Sequence, residues 1–267
     1  MTINEVQAID VHAHYGTYRQ AGREWAGDFM SGGPEVVLDR ARKARTRLTV
    51  VSPLTGLLPR GKADSAAGND EVLRTIPNYP GLRFWALVDP TVLKTFDQAA
   101  DMLQHSACLG IKIHPEEHVY PIRDHGRKIF EFAARHHAVV STHSGEPNSL
   151  PADYLPFADE FPEVTLILCH LGCGHDGDPS HQVRAVRASK CGNVLTDTSS
   201  MSSLMAGLIE WAVRQIGADR ILYGTDSPLY FAPSQRVRID HADVTDADKH
   251  AILCKNAERL FGKKVSP

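Results

Sequence analysis

Several common signatures are missing from this chain, and each absence narrows what it can do. It has no clustered basic stretch and a formal net charge of -3, so a phosphate backbone is an unsuitable partner. No apolar run approaches the ~18 residues of a membrane span, and no membrane association is expected. The opening MTINEVQAID lacks a charged segment followed by an apolar one, so no signal peptide is expected. Cysteine is scarce and odd in number: Cys108, Cys169, Cys173, Cys191 and Cys254. Such a scattered set reads as free thiols in a reducing compartment, and the cytoplasm is the expected location. Neither a G-x-S-x-G elbow nor a P-loop occurs, which removes two large classes of catalysis. There is no internal repeat and no low-complexity tract.

What is present is a regular alternation. Short apolar runs recur at 6–12, 48–52, 83–88, 109–114, 138–143, 164–170, 193–199 and 220–226. Most are continuously apolar, as expected of strands covered on both faces in a parallel sheet. Helical patterns lie between them at 34–45, 94–105, 123–137 and 202–216. A last helix at 245–261 opens with Thr245 and Asp248 in capping-box spacing and stops at Gly262. Eight strands alternating with helices over 267 residues predict one α/β domain across 1–267, a (β/α)₈ TIM barrel with a C-terminal extra helix. An open doubly wound sheet is the rival, but G-x-G-x-x-G after the first strand is missing. Long connections at 15–33, 53–69 and 227–244 all follow strands, so they belong at the barrel's C-terminal mouth, where active sites form.

The informative residues end the strands. His12 and His14 close the first, Lys112 and His114 the fourth, His143 the fifth, His170 the sixth and Asp226 the eighth. Residues i and i+2 of a strand face one side, so His12 and His14 can converge on one ion. Zinc suits imidazole and carboxylate ligands. Asp10 lies on the same face, deeper, and can orient His12. Asp226 follows an apolar run, where a bare carboxylate needs a partner; a metal supplies one, and a turn cap before Ser227-Pro228 is the alternative. The other nine histidines read as surface or hydrogen-bonded groups. Two further readings concern the loops. Arg19, Arg23 and Trp25 could bind an anionic or aromatic substrate, or form a solvated loop. Cys169, His170, Cys173 and His175 could form a structural zinc site, although their spacing departs from the usual arrangement.

AIDVHAH (8–14), GIKIHP (110–115), THSGEP (142–147), CHLG (169–172), YGTDSP (223–228) and KNAERLFG (255–262) resemble, in order, the amidohydrolase superfamily and its amidohydrolase-related (amidohydrolase 2) branch. The resemblance implies that His12, His14, His143 and Asp226 hold a metal. It gives Asp226 a second role as proton shuttle, and His170 that of polarising a substrate carbonyl or steering the water. Lys112 has two readings, a carbamylated bridge between two metals or a plain lysine that binds substrate. His114 and Glu146 are candidates to contact the ligands or the substrate. The implied reaction is attack by metal-activated water on an amide, ester or lactone of a small molecule, with one or two divalent ions, zinc foremost. The alternative is non-oxidative decarboxylation of an aromatic or unsaturated acid, which some relatives of this branch perform. A homo-oligomer is compatible with the apolar helix faces.

Overall fold

A computed structural model describes residues 3–266. Its eight strands are β1 (Ala8–Tyr15), β2 (Thr46–Pro53), β3 (Leu82–Leu87), β4 (Cys108–Ile113), β5 (Val139–Thr142), β6 (Leu166–Leu168), β7 (Val194–Asp197) and β8 (Ile221–Leu222). They pair in parallel and in sequence order, β1 to β8, with helices in the crossovers. The barrel is drawn together across its seam by main-chain bonds. The Val11 N–H donates to the Tyr223 carbonyl at 2.9 Å, and the Asp226 N–H to the His12 carbonyl at 2.8 Å. The expected (β/α)₈ barrel is therefore the observed architecture. Continuous apolarity has the predicted cause: all eight residues of β1 are buried, between the barrel interior and the surrounding helices. Among the described residues no helix is long and apolar enough to cross a membrane.

The strands are shorter than the apolar runs suggested. β6 and β8 end at Leu168 and Leu222, and the chain then bends. His170 and Asp226 sit on these bends with φ of +72° and +56°. Left-handed backbone is unfavourable for side chains with a Cβ and is held only where the surroundings enforce it. It turns both side chains away from the direction a continuing strand would give them.

Two of the long connections contain helices that the sequence pattern hid. Ser65–Thr75 buries Ser65, Gly68 and Asn69, and Ala232–Asp240 buries Gln235 and Arg236. Neither shows a continuous apolar stripe, because polar or small residues share the buried face with Val72 and Ile239. Arg236 is satisfied by Asp240 and by the carbonyls of Val6 and Ile3. The C-terminal segment is helical as expected. The Thr245–Asp248 capping box is formed, and a π-helical turn at Ala251–Lys255 interrupts the run before Asn256–Phe261.

Gly68 sets how closely the loop after β2 packs under the barrel mouth. A Cβ there would lie 2.7 Å from the Gly56 Cα. Gly68→Ala is expected to destabilise the fold by about 1–3 kcal/mol through overpacking, read from the denaturant midpoint. An unchanged midpoint would mean that the loop has room to shift.

Candidate metal centre

Six polar side chains from four strand ends meet at the C-terminal mouth, and their hydrogen bonds assign the protons on the ring nitrogens. His14 Nδ1 lies 3.1 Å from the Ser52 carbonyl, which can only accept, so Nδ1 donates. His12 Nδ1 lies 3.0 Å from Asp197 Oδ2. Burial alone would raise the Asp197 carboxyl, but the charge and hydrogen bond of His12, with His170 and Ser199, hold it well below the usual carboxylate range. An ionised Asp197 accepts, so His12 Nδ1 donates as well. The Ser199 hydroxyl donates to Asp197 Oδ1, at 2.5 Å, and is left as an acceptor at 2.8 Å from His170 Nδ1. His170 therefore also carries its proton on Nδ1. Burial, reinforced by the Lys112 charge, pushes His12 down to about 4. Burial first, then the neighbouring His12 and His143, pushes His170 well below its ordinary value. In both neutral rings the Nε2 atom is a lone pair.

The Nε2 atoms of His12 and His14 converge on a carboxylate. Asp226 Oδ1 is 3.0 Å from His14 Nε2 and 3.5 Å from His12 Nε2, and it is buried without a hydrogen-bond partner. Burial would raise the Asp226 carboxyl, while His14, His170 and His12 hold it well below the usual range. Two ring nitrogens and a carboxylate oxygen thus face one point, an arrangement that suits a divalent cation. Donors ~2.1 Å from one ion stand roughly 3.0–3.4 Å apart at octahedral or tetrahedral angles, close to the separations found. His12, His14 and Asp226 fit one such ion, and a second convergent set, His12, His170 and Asp197, adjoins it. No convergent set among the described residues includes a cysteine, so the cysteine–histidine zinc reading is not supported.

The remaining predicted residues take other places. The His143 Nε2 is 2.6 Å from Glu146, and its ring stacks on His114 at 4.3 Å and lies 4.7 Å from His170. His143 therefore stands beside the convergent atoms, turned toward Glu146, and is not one of them. Glu146 also meets Arg60, at 3.5 Å. Lys112 is buried, with Nζ 3.2 Å from His12 Nε2 and 3.4 Å from Cys169 Sγ. Asp10 does not orient the His12 ring. It accepts from the His12 main-chain N–H and from both the N–H and hydroxyl of Thr225, pinning β1 to the loop after β8. The ring is oriented by Asp197, which, with Ser199, sequence reasoning missed. A signal was available: Asp197 follows the apolar run of β7 just as Asp226 follows that of β8.

Ser199 is fully buried and touches two of the three imidazoles. Ser199→Ala removes the acceptor for His170 Nδ1–H, leaving the tautomer free to change. The expected result is about a tenfold loss of activity, the low end for removing a group that orients a ligand. It should coincide with a changed imidazole ¹⁵N signature for His170, both restored by Ser199→Thr. A normal rate with an unchanged signature would show that Ser199 only fills space.

Above these atoms lies a chamber of about 250 Å³. Leu54, Leu57, Leu58, Met30 and Leu229 form its apolar wall, with Tyr18 and Tyr230 beside them. Arg19 and Arg23 line an outer vestibule; Trp25 lines neither space and is 68% exposed.

A parallel barrel with imidazoles and a carboxylate converging at its C-terminal mouth defines the class of barrel enzymes built around a divalent metal. Within that class the chain belongs to the amidohydrolase family, in its amidohydrolase 2 branch, whose model matches residues 9–263. By sequence, no curated protein matches it. The fold is similar to that of a dihydroxybenzoic acid decarboxylase from a Polaromonas species, solved with manganese and 2-nitroresorcinol. That likeness has a TM-score of 0.74 at 14% identity, covering 100% of this chain and 98% of that one. A 2,6-dihydroxybenzoate decarboxylase from Rhizobium has a TM-score of 0.71 at 14% identity, covering 98% and 99%. An amidohydrolase II has a TM-score of 0.71 at 19% identity, covering 96% and 100%.

Proposed function

We propose that this protein is a divalent-metal-dependent, non-oxidative decarboxylase of a planar aromatic or unsaturated acid. The observation that carries this reading is the tautomer of His170. Hydrolysis, which the sequence motifs put first, asks this residue to polarise a carbonyl, which needs a donor, or to steer the attacking water. A neutral His170 with its proton held by Ser199 offers the chamber a lone pair. It suits a residue that takes a proton before giving one. The decarboxylase names of two structural neighbours support the same choice, as does the apolar wall, which suits a flat ring.

His12, His14 and Asp226 hold the ion, and His143 is the further imidazole at its side. Manganese and zinc both suit this donor set, and Lys112 is read as an unmodified lysine beside His12 and Cys169. When bound there, such an ion would act as a Lewis acid toward the acidic end of the substrate. The chain's own groups do the rest. The leucine wall aligns the ring and excludes water. His170 Nε2 accepts the proton of a hydroxyl beside the carboxylate. Burial makes the resulting imidazolium a strong acid, so it passes that proton to the ring carbon as the bond to the carboxylate breaks and CO₂ leaves. Solvent returns the hydroxyl proton.

The test is a panel of hydroxylated aromatic acids, amides, esters and lactones offered to the manganese- and zinc-loaded protein, with CO₂ measured directly. Release of CO₂ from an acid, with no cleavage of amides, esters or lactones, is expected. Hydrolysis without CO₂ would overturn the reading in favour of the water-attack mechanism.

A further inference from the structure

The inner chamber opens outward into a vestibule of about 790 Å³, and Tyr18, Gln20, Arg23, Arg60 and Glu146 line both spaces. Arg19, Arg23, Arg60 and Lys62 surround the vestibule, against the carboxylates Glu24 and Glu146. Arg60 is already neutralised by Glu117 and Glu146. Glu24 is engaged by the main-chain N–H of Gly22. The side chains of Arg19, Arg23 and Lys62 have no hydrogen-bond or ion-pair partner among the described residues, unlike many cations on the outer helices. There, Arg42 and Lys43 share Asp39, Arg123 meets Asp153 and Arg127 meets Glu160. Three unpartnered like charges around one concavity repel one another, and an anion relieves that repulsion.

The two spaces differ in chemistry as well as size. The inner one, at about 250 Å³, is smaller than the roughly 300–1,000 Å³ of pockets that enclose a drug-sized ligand, so it takes one ring and little more. Leucines and Met30 form one wall of it, and the polar residues shared with the vestibule stand at its mouth. Whatever extends beyond that ring enters a vestibule whose free charges are positive.

From this arrangement we infer a second anion subsite, formed by Arg19, Arg23 and Lys62, which selects substrates with two acidic groups: one at the metal end and one at the far end of a flat apolar body. The subsite rests on the decarboxylase reading only for the direction in which the substrate lies. Arginine can grip a far carboxylate through paired N–H groups, and Lys62 adds a point charge. Such exposed charges also draw a dianion into the mouth, an effect that weakens as salt shortens their range.

Calorimetry on the manganese-loaded protein tests the subsite without turnover. The probes are terephthalate and biphenyl-4,4′-dicarboxylate, each against its monoacid, benzoate or biphenyl-4-carboxylate. At least one diacid is expected to bind about tenfold tighter than its monoacid, the scale of one added charge-assisted contact. Raising salt from about 20 to about 300 mM should shrink that ratio several-fold in the unaltered protein. The Arg19→Ala/Arg23→Ala/Lys62→Ala variant should bring the ratio to about one. Equal affinity for diacids and monoacids in the unaltered protein overturns the proposal, as does a ratio unmoved by the triple substitution. Because binding is read here and CO₂ release in the earlier panel, either idea can fail while the other stands.

Discussion

Asp226→Asn is expected to lower turnover by about 10³-fold or more while leaving the barrel folded. Two effects combine. The amide carries no charge, so His12 and His14 lose the anion that completes their set, and the ion is held more weakly. The ion that remains also positions the substrate less well, and misplacement at a reacting centre is expensive in rate. The side chain is small, and its main-chain N–H still meets the His12 carbonyl, so thermal unfolding should stay near that of the unaltered protein. Steady-state kinetics and metal content, measured on one preparation, check the prediction. Near-normal turnover with a full complement of metal would remove Asp226 from the centre.

Asp197→Asn is expected to be nearly as damaging, although this residue is no part of the His12–His14–Asp226 set. Oδ1 of Asp197 accepts from the main-chain N–H groups of His170 and Ser199 as well as from the Ser199 hydroxyl. In an asparagine the amide oxygen must take that place, which puts the NH₂ group where Oδ2 meets His12 Nδ1. Two donors would then face each other. The imidazole relieves this by moving its proton to Nε2, the atom needed as a lone pair beside Asp226. Metal affinity should fall by about 10–100-fold, and imidazole ¹⁵N shifts should show the His12 proton on the other nitrogen. An unchanged affinity with Nδ1 still protonated would mean that another group sets the tautomer.

The fold was readable because its signal is repetitive. Eight apolar runs buried on both faces announce parallel strands, and helices with an apolar stripe announce the crossovers. The pattern failed at Ser65–Thr75 and Ala232–Asp240, where Asn69 or Arg236 is buried through hydrogen bonds in place of an apolar face. His12, His14 and Asp226 stood out as ionisable residues at strand ends, and the fold brings these three side chains together. His143 was named with them, and the fold sets its Nε2 against Glu146, three residues on, a contact that spacing does not reveal. Asp197 and Ser199 were missed because attention to histidine passed over the groups that orient histidines. Their role depends on which acceptor faces which nitrogen, and only the folded arrangement shows that. The three free cations of the vestibule raise the same issue. Arg19 and Arg23 stood out in the sequence, but Lys62 joins them from the loop after another strand.

The central claim is that His12, His14 and Asp226 are arranged as they are to hold a divalent ion on which activity depends. The most direct measurement is metal content by elemental analysis, alongside activity, during chelation and reconstitution of the purified protein. About one manganese or zinc per chain is expected, with activity falling in step with its removal and returning with its addition, and with Asp226→Asn failing to regain the full complement. A chain that is free of metal and still fully active would contradict the account.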